Sequence, residues 1–474
     1  MYTWMLHKGF LMKLSKIKNI HFIGIGGVGM VGIAEMLINQ GYRVSGSDLV
    51  SNNNVKRLKS LGAHISIGHH ATNIKNCDVV VFSSAVGSNN SEMKEARKQS
   101  KIIIPRAEML SGLMTGYQSI AVAGSHGKTT TTSLISYIFT EAKLDPTYII
   151  GGRILGKEEK SILGKSNFII VEADESDGSF LHLNPEISVL TNIDNDHLDF
   201  YDNKPHKLEK TFFNFMEKLP FFGTAIICVD CKKSDRVFKK LSRPKISYGF
   251  SKHADFRIIN QIQKPNYQQF EVYEKATKKT QKLRLRIPGK HNALNAVASL
   301  IVSKRAGIKI SVIKKSFDEF GGVSRRIENK GDRTIGKAKI TLIDDYGHHP
   351  TEINETVAAV RSSFKNRKIT MIFQPHRFSR SVLLFEDFIK VLSKVDRLIV
   401  MDIYSANEEN PNGISSYDFV SKLVSKGVET YHGKNLSSIK KILEEKLDSN
   451  DILLTQGAGN VSDISTSLST MYDE

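Results

Sequence analysis

Between the apolar run Ile120-Ala-Val-Ala123 and a helix-like segment from about Thr131 to Ala142 lies Gly124-Ser-His-Gly-Lys-Thr-Thr130. Strand, glycine turn with Lys-Thr, then helix is the arrangement that holds nucleotide phosphates. Backbone N–H groups of such a turn point inward, the helix N-terminus adds partial positive charge, Lys128 can reach the β/γ-phosphates, and the Thr129 hydroxyl can ligate magnesium. The common form of the pattern would need a glycine at position 122, where Val122 stands; the first glycine is Gly124, giving a shortened Gly-x-x-Gly-Lys-Thr-Thr.

A second glycine turn opens the chain. His21-Phe-Ile-Gly-Ile-Gly-Gly-Val-Gly-Met30 places Gly24, Gly26 and Gly29 in a G-x-G-x-x-G spacing, followed by a helix over Val31 to Gln40 and a strand from Arg43 to Ser47 ending at Asp48. Alone this reads as a dinucleotide-binding βαβ unit. Further strands at Asp78 to Phe82 and Lys101 to Ile104 predict a small parallel sheet that finishes near Thr115. A nicotinamide enzyme has no need of a second phosphate loop 100 residues later. Two such turns on successive domains imply two phosphorylated ligands: a nucleotide-linked substrate in the first, with Asp48 placed for a ribose hydroxyl, and a nucleoside triphosphate in the second.

Composition sets the outer bounds. A chain of 474 residues is long enough for about three domains. Its 67 Lys+Arg against 49 Asp+Glu leave a formal charge of +18, which suits anionic ligands. The lysines are scattered among asparagines and form no stripe, which argues against nucleic-acid binding. Three cysteines exclude a disulfide framework and point to a reducing compartment; Cys228 and Cys231 have CxxC spacing but no second pair to complete a zinc site. No run of eighteen apolar residues suggests a membrane span. The segment Met1–Lys18 lacks a clear apolar core or cleavage site and reads as a short extension of a cytoplasmic protein.

In the middle of the chain, Phe168 to Asp174 is a buried strand ending in Glu172 and Asp174. Ile187 to Ile193 is another, ending in Asp194-Asn-Asp-His-Leu-Asp199. Ligands of open α/β sheets gather at the carboxyl ends of strands, so Glu172 and His197 are candidate magnesium ligands. Asp194 or Asp196 as a helix cap, and His197 as a satisfied polar residue, are the plainer alternatives. From Lys233 to Lys282 the chain is polar and β-leaning, with no chemical signal. Asn292 and Asn295 then lie three apart on one helix face, where their amides suit an adenine edge or simply a helix cap. Beyond Val323, strands at Ile340–Ile343, Ile369–Phe373, Arg397–Met401 and Ile452–Thr455 alternate with helices at Pro350–Arg361 and Ser437–Lys446, which predicts another parallel sheet. Arg377 and Arg380 follow one strand end and either clamp a carboxylate or sit as exposed helix arginines.

Together these motifs resemble those of the Mur ligase family over roughly Ile20 to Ser465. Gly24 to Met30 matches the family's Gly-x-Gly-Gly-x-Gly-Met, Ser45 to Asp48 its Ser-Gly-Ser-Asp, and Gly124 to Thr130 its Gly-Thr-His-Gly-Lys-Thr-Thr with Ser125 replacing threonine. Glu172 to Asp177, Asp196 to Asp199, His291 to Asn295, Gly322 to Arg326, Asp344 to Pro350 and Gln374 to Arg377 follow in order. Within the family the likeness is to the L-alanine-adding branch. Two departures stand out. Val31 takes the place of a frequent serine, and Phe212 falls where sister ligases carry a carbamylated lysine, so no carbamate is expected.

The resemblance implies an α/β fold in three domains: a Rossmann-like N-terminal domain over 18–115 for a UDP-sugar, a P-loop ATP-binding central domain over 116–322, and a Rossmann-like C-terminal domain over 323–474 for the amino acid. It implies ATP-dependent ligation of L-alanine to the lactoyl carboxylate of UDP-N-acetylmuramate through an acyl phosphate, for peptidoglycan synthesis. Mg2+ would be the cofactor, ATP the co-substrate, and the enzyme a cytoplasmic monomer or homodimer. The UDP-sugar would be held by Gly24, Gly26, Gly27, Gly29, Asp48, His69, Ser83 and Arg106. ATP would sit on Gly124, Ser125, His126, Gly127, Lys128, Thr129 and Thr130, with adenine near Asn292 and Asn295. Thr129, Glu172 and His197 would bind magnesium, and His348, His376, Arg377 and Arg380 would meet L-alanine. Lys128, Glu172, His197, Arg325, Arg326 and His348 form the implied catalytic set. Lys128→Ala is then expected to abolish turnover and leave the fold intact. A ligase that attaches an intact tripeptide to the same UDP-sugar, or a non-catalytic nucleotide-binding regulator, would share parts of this pattern.

Overall fold

The computed structural model describes residues 17–83, 85–156, 161–264, 267–406 and 408–471. Of the expected N-terminal extension, residues 1–16 lie outside the described residues. Among the described residues the strands form three sheets.

The first sheet contains β1 (Asn19–Ile23), β2 (Arg43–Asp48), β3 (His64–Ile67), β4 (Val79–Phe82) and β5 (Ile102–Pro105), in the order β3-β2-β1-β4-β5 and parallel throughout. Strand order reverses between β1 and β4. Such a switch point opens a crevice at the strands' carboxyl ends, and β1 runs there into Gly24 and β4 into Ser83. The helix after β1 starts at Val28, inside the glycine turn, and not at Val31.

The second sheet contains β6 (Gln118–Ala123), β7 (Thr147–Ile149), β8 (Ser161–Ile162), β9 (Phe168–Glu172), β10 (Ile187–Leu190), β11 (Thr224–Cys228), β12 (Lys245–Gly249), β13 (Phe256–Lys264), β14 (Tyr267–Glu274) and β15 (Lys279–Leu285). Its order is β15-β14-β13-β12-β11-β10-β6-β9-β7-β8. The strand that carries the phosphate loop, β6, lies between β10 and β9 and parallel to both. The loop therefore leaves the sheet beside the ends of both acid-bearing strands. Its helix runs Lys128–Glu141 and begins at the lysine, three residues before the sequence-based start. Four consecutive threonines disfavour a helix start by propensity, but they are tied in by packing and back-bonding: Thr130, Thr131 and Thr132 are buried, and the Thr132 hydroxyl donates to the Lys128 carbonyl at 2.9 Å. The polar stretch after Lys233 opens with a helix, Lys232–Lys240, before its strands; burial of Val237 and Ser234 holds a segment whose lysines hid its period.

The third sheet contains β16 (Glu328–Ile335), β17 (Ala338–Asp345), β18 (Ile369–Phe373), β19 (Arg397–Met401), β20 (Glu429–Gly433) and β21 (Ile452–Gln456), in the order β16-β17-β21-β18-β19-β20. It is not wholly parallel, as β16 pairs antiparallel with β17. Only Gly336 and Lys337 separate these two strands, and a parallel crossover needs a dozen residues or more. The remaining pairings are parallel.

By contact density the chain divides into two compact units. One holds residues through Ile258 with Val272–Thr280 and Leu294–Phe317; the other holds Ile259–Glu271, Gln281–Ala293 and the chain from Asp318 onward. The first and second sheets share the first unit and one apolar core, in which Ile20 and Phe22 belong to the same cluster as Ala121, Val171 and Leu190.

Candidate active site

The phosphate loop is shaped by two glycines at which any side chain would be crowded and strained. Gly124 has φ 131° and a Cβ there would stand 2.1 Å from Thr191 Oγ1; Gly127 has φ 83° and a Cβ would stand 2.6 Å from Asn295 Oδ1. The residues after β10 clamp the loop. Ser125 N–H donates to the Asn192 carbonyl at 3.1 Å, and His126 N–H donates to Asn192 Oδ1 at 2.9 Å. Thr191 Oγ1 and Asn192 Nδ2 donate to the His126 carbonyl at 2.6 and 3.0 Å, and His126 Nε2 lies 3.0 Å from Asp194 Oδ2. Asp194 is thus a partner of the loop; neither it nor Asp196 caps a helix, since the next helix begins at Pro205. Sequence reading missed Thr191 and Asn192, although they directly follow the apolar run of β10.

Lys128 folds back over the loop. Its Nζ donates to the Gly124 carbonyl at 2.7 Å and to both oxygens of Glu175, at 3.0 and 2.7 Å. Burial pushes the lysine's pKa down, but Glu175 and Asp174 outweigh it and hold the ammonium above its ordinary value. Glu175, 1% exposed, also accepts the Tyr201 hydroxyl on its carbonyl. Sequence reading passed over Glu175; four acids within Glu172–Asp177 were the available signal. Burial likewise pushes Asp174 up, yet Lys128, the Ser176 N–H, Arg106 and His197 hold it below the usual carboxylate range.

Thr129 Oγ1 donates to Glu172 Oε2 at 3.2 Å, and Gly151 N–H donates to Glu172 Oε1 at 2.8 Å. His197 has a left-handed backbone, φ 54°, and its N–H donates to Asp196 Oδ1 at 2.9 Å. Left-handed non-glycine residues are sparse and cluster at functional sites. Thr129 and Glu172 thus present a hydroxyl and a carboxylate side by side, oxygen donors of the kind a hard divalent cation takes.

The first glycine turn sits in the same unit. Asp48 Oδ2 accepts the Gly26 N–H at 2.8 Å, so the acid expected at a ribose also braces the turn. Asn54 and Asn52 donate to the Gly26 carbonyl at 2.8 and 3.2 Å. A Cβ on Gly24 would lie 3.3 Å from Ser83 Cβ, and one on Gly29 would lie 3.2 Å from Arg106 Cδ, Nε and Cζ. Arg106 therefore lies across the turn while its charge acts on Asp174. Gly27 N-caps the following helix. His69 Nδ1 is 2.9 Å from Ser47 Oγ.

In the other unit, Arg325, Arg326, His348, His376 and Arg380 gather along a line of rings. Both guanidinium groups lie over Tyr346, at 5.2 and 5.1 Å; Tyr346 meets His348 at 5.5 Å, His348 meets His376 at 5.4 Å, and His376 stacks on Tyr404 at 5.4 Å. Arg325 is anchored by Asp344 (3.2 Å) and the Gly457 carbonyl (2.6 Å), Arg326 by Glu352 at 3.4 Å. Arg380 is buried, not an exposed helix arginine, and donates to His376 Nδ1 at 3.3 Å. Arg377, with φ 68°, lies 3.7 Å from Glu408. Tyr346 and Tyr404 were missed, although each sits within a strand-end motif. Asn292 lies inside its helix, not at the cap, and donates to the Pro288 carbonyl at 2.6 Å.

Two glycine turns, a cluster of acids at strand ends and an arginine–histidine line on largely parallel sheets define an α/β nucleotide-dependent enzyme. Family models match three successive stretches: the Mur ligase family catalytic domain over residues 19–118, the Mur ligase middle domain over 122–303, and the Mur ligase glutamate ligase domain over 325–459. The chain belongs to the Mur ligase family, with its three-domain α/β architecture. It is 42% identical over 456 residues to a UDP-N-acetylmuramate–L-alanine ligase of Legionella pneumophila, covering 96% of this chain and 97% of that one. A solved UDP-N-acetylmuramate–alanine ligase of Thermotoga maritima superposes with TM-score 0.81 at 26% identity, covering 96% of this chain and 99% of the other. A murein peptide ligase of Psychrobacter arcticus shares the fold with TM-score 0.69 at 21% identity, covering 96% and 98%.

Proposed function

We propose that the protein joins L-alanine to the lactoyl carboxylate of UDP-N-acetylmuramate with cleavage of ATP to ADP and phosphate, a step of peptidoglycan precursor synthesis in the cytoplasm. One observation carries the reading: the two glycine turns stand on sheets that share one apolar core. Arg106, laid across the first turn, acts on Asp174, and Asp174 acts on Lys128 of the second. An acid held on the first turn and a γ-phosphate held on the second would therefore share one electrostatic neighbourhood. The named relatives supply which acid and which amine. We place the domain boundaries at 18–115, 116–322 and 323–474, a division that the three family-model stretches 19–118, 122–303 and 325–459 support.

A carboxylate is a poor acyl donor, and two anions must be brought together. Lys128 and the first-turn Arg106 offset that repulsion, and the loop N–H groups orient the γ-phosphoryl in line with the attacking carboxylate oxygen. Phosphoryl transfer forms the acyl phosphate and releases ADP. The neutral amine of L-alanine then attacks the carbonyl carbon, and phosphate departs with the carboxylate oxygen that attacked phosphorus. Thr129, Glu172 and His197 would hold Mg2+, which when bound neutralises phosphate charge. Asn295 beside Gly127, with Asn292, would border the adenine. Arg377 and Arg380 would take the amino acid's carboxylate, with His348 and His376 beside it, and Arg325 and Arg326 would belong to the catalytic set.

Phosphate release tests this with UDP-N-acetylmuramate and, in parallel, L-alanine, glycine, L-serine and the tripeptide. L-Alanine is expected to give the highest kcat/KM. Preference for the tripeptide would assign the recycling reaction instead, and no amine-dependent release would leave only a nucleotide-binding protein.

A further inference from the structure

Glu92 is a fully buried carboxylate, 0% exposed, with no part in the reaction above. Each of its oxygens accepts two hydrogen bonds. Oε1 takes Asn73 Nδ2 at 2.5 Å and the His70 N–H at 3.2 Å; Oε2 takes the Ser47 hydroxyl at 2.6 Å and His21 Nε2 at 3.3 Å. Burial pushes its pKa up, but these donors outweigh burial and keep it below the ordinary value, so it is ionised. An ionised carboxylate has only lone pairs to offer. Ser47 must therefore point its single proton at Glu92, which leaves its oxygen to accept from His69 Nδ1 at 2.9 Å. The proton of a neutral His69 ring is thus on Nδ1, and Nε2 carries a lone pair. The same carboxylate holds the chain just after the ring, since the His70 amide and Asn73 are among its partners.

We propose that Glu92 is a positioning residue for the nucleotide-sugar: through Ser47 it fixes His69 in the Nδ1–H tautomer, so that Nε2 is offered as an acceptor to a donor group of the nucleoside, a hydroxyl or the imide N–H. This rests on His69 belonging to the UDP-sugar site. A glutamine at position 92 can donate to Ser47, which frees the serine proton for His69 Nδ1 and moves the ring proton to Nε2, where it faces a donor with a donor.

The test is made on the full-length protein with 15N-labelled histidine and with Glu92→Gln and Ser47→Ala. Nitrogen chemical shifts of His69 are expected to show Nδ1–H in the parent and loss of that preference in both variants. KM for UDP-N-acetylmuramate is expected to rise about tenfold in each, about 1.4 kcal/mol of binding, with KM for ATP changed by less than about twofold; the double variant should be no worse than the poorer single one. Nε2–H in the parent would overturn the proposal, as would tautomer and KM unchanged in Ser47→Ala, or an equal rise in both KM values. Should the parent show no dependence on UDP-sugar, the functional reading fails, while the tautomer in parent and variants still decides whether Glu92 sets the ring.

Discussion

Lys128 shows how one side chain answers to two demands. The sequence motif assigns it to phosphate, and nothing in the motif says where the ammonium rests beforehand. In the structure it is bound to Glu175, an acid 1% exposed that burial pushes above the usual carboxylate range even with Lys128 beside it. Lys128→Ala therefore does more than remove a phosphate contact. Alongside loss of turnover it is expected to destabilise the protein by about 1–3 kcal/mol, the cost of leaving the buried Glu175 carboxyl without its partner, short of unfolding it. Lys128→Ala combined with Glu175→Gln is expected to recover most of the unfolding midpoint and none of the activity. A single variant as stable as the parent would show that the pair contributes nothing. Such pairings were illegible beforehand because a motif reports residue types along the chain, whereas Glu175 reaches the lysine from another strand's end, 47 residues away.

At the scale of elements, the turns and strand ends were the legible part. Positions that glycine must fill, such as Gly124 and Gly127, announce themselves because no Cβ fits. Gly124→Ala is expected to abolish ATP binding in calorimetry, since the new methyl would occupy the place of Thr191 Oγ1 and the backbone would be strained by about 1–3 kcal/mol besides. ATP affinity within about twofold of the parent would mean that the loop relaxes. Strands such as Ile369–Phe373 and Arg397–Met401 could be read to the residue because buried parallel strands are unbroken apolar runs. The helix Lys232–Lys240 and the edge strand β16 could not. Both are rich in charge, and their placement is decided by a few buried residues or by a two-residue connection, not by a period.

For the whole molecule, a three-part organisation was legible from three sets of motifs, and three successive family models match the chain. Less legible was the sharing of one apolar core by the first two sheets, for long-range packing leaves no local mark. Magnesium–ATP at 100 times its dissociation constant is expected to stabilise the parent by about 2.7 kcal/mol, seen as a raised thermal midpoint. The same addition to Lys128→Met should shift it far less, and an equal shift would take the nucleotide away from this loop.

The coupling of the two turns through one acyl phosphate is tested most directly by oxygen transfer. UDP-N-acetylmuramate labelled with 18O in both lactoyl carboxylate oxygens is incubated with the protein, ATP, Mg2+ and L-alanine, and the products are read by mass spectrometry. One 18O in each phosphate released, one retained in each new amide and one ADP per amide are the expected result. Unlabelled phosphate, or phosphate without an L-alanyl product, would contradict it.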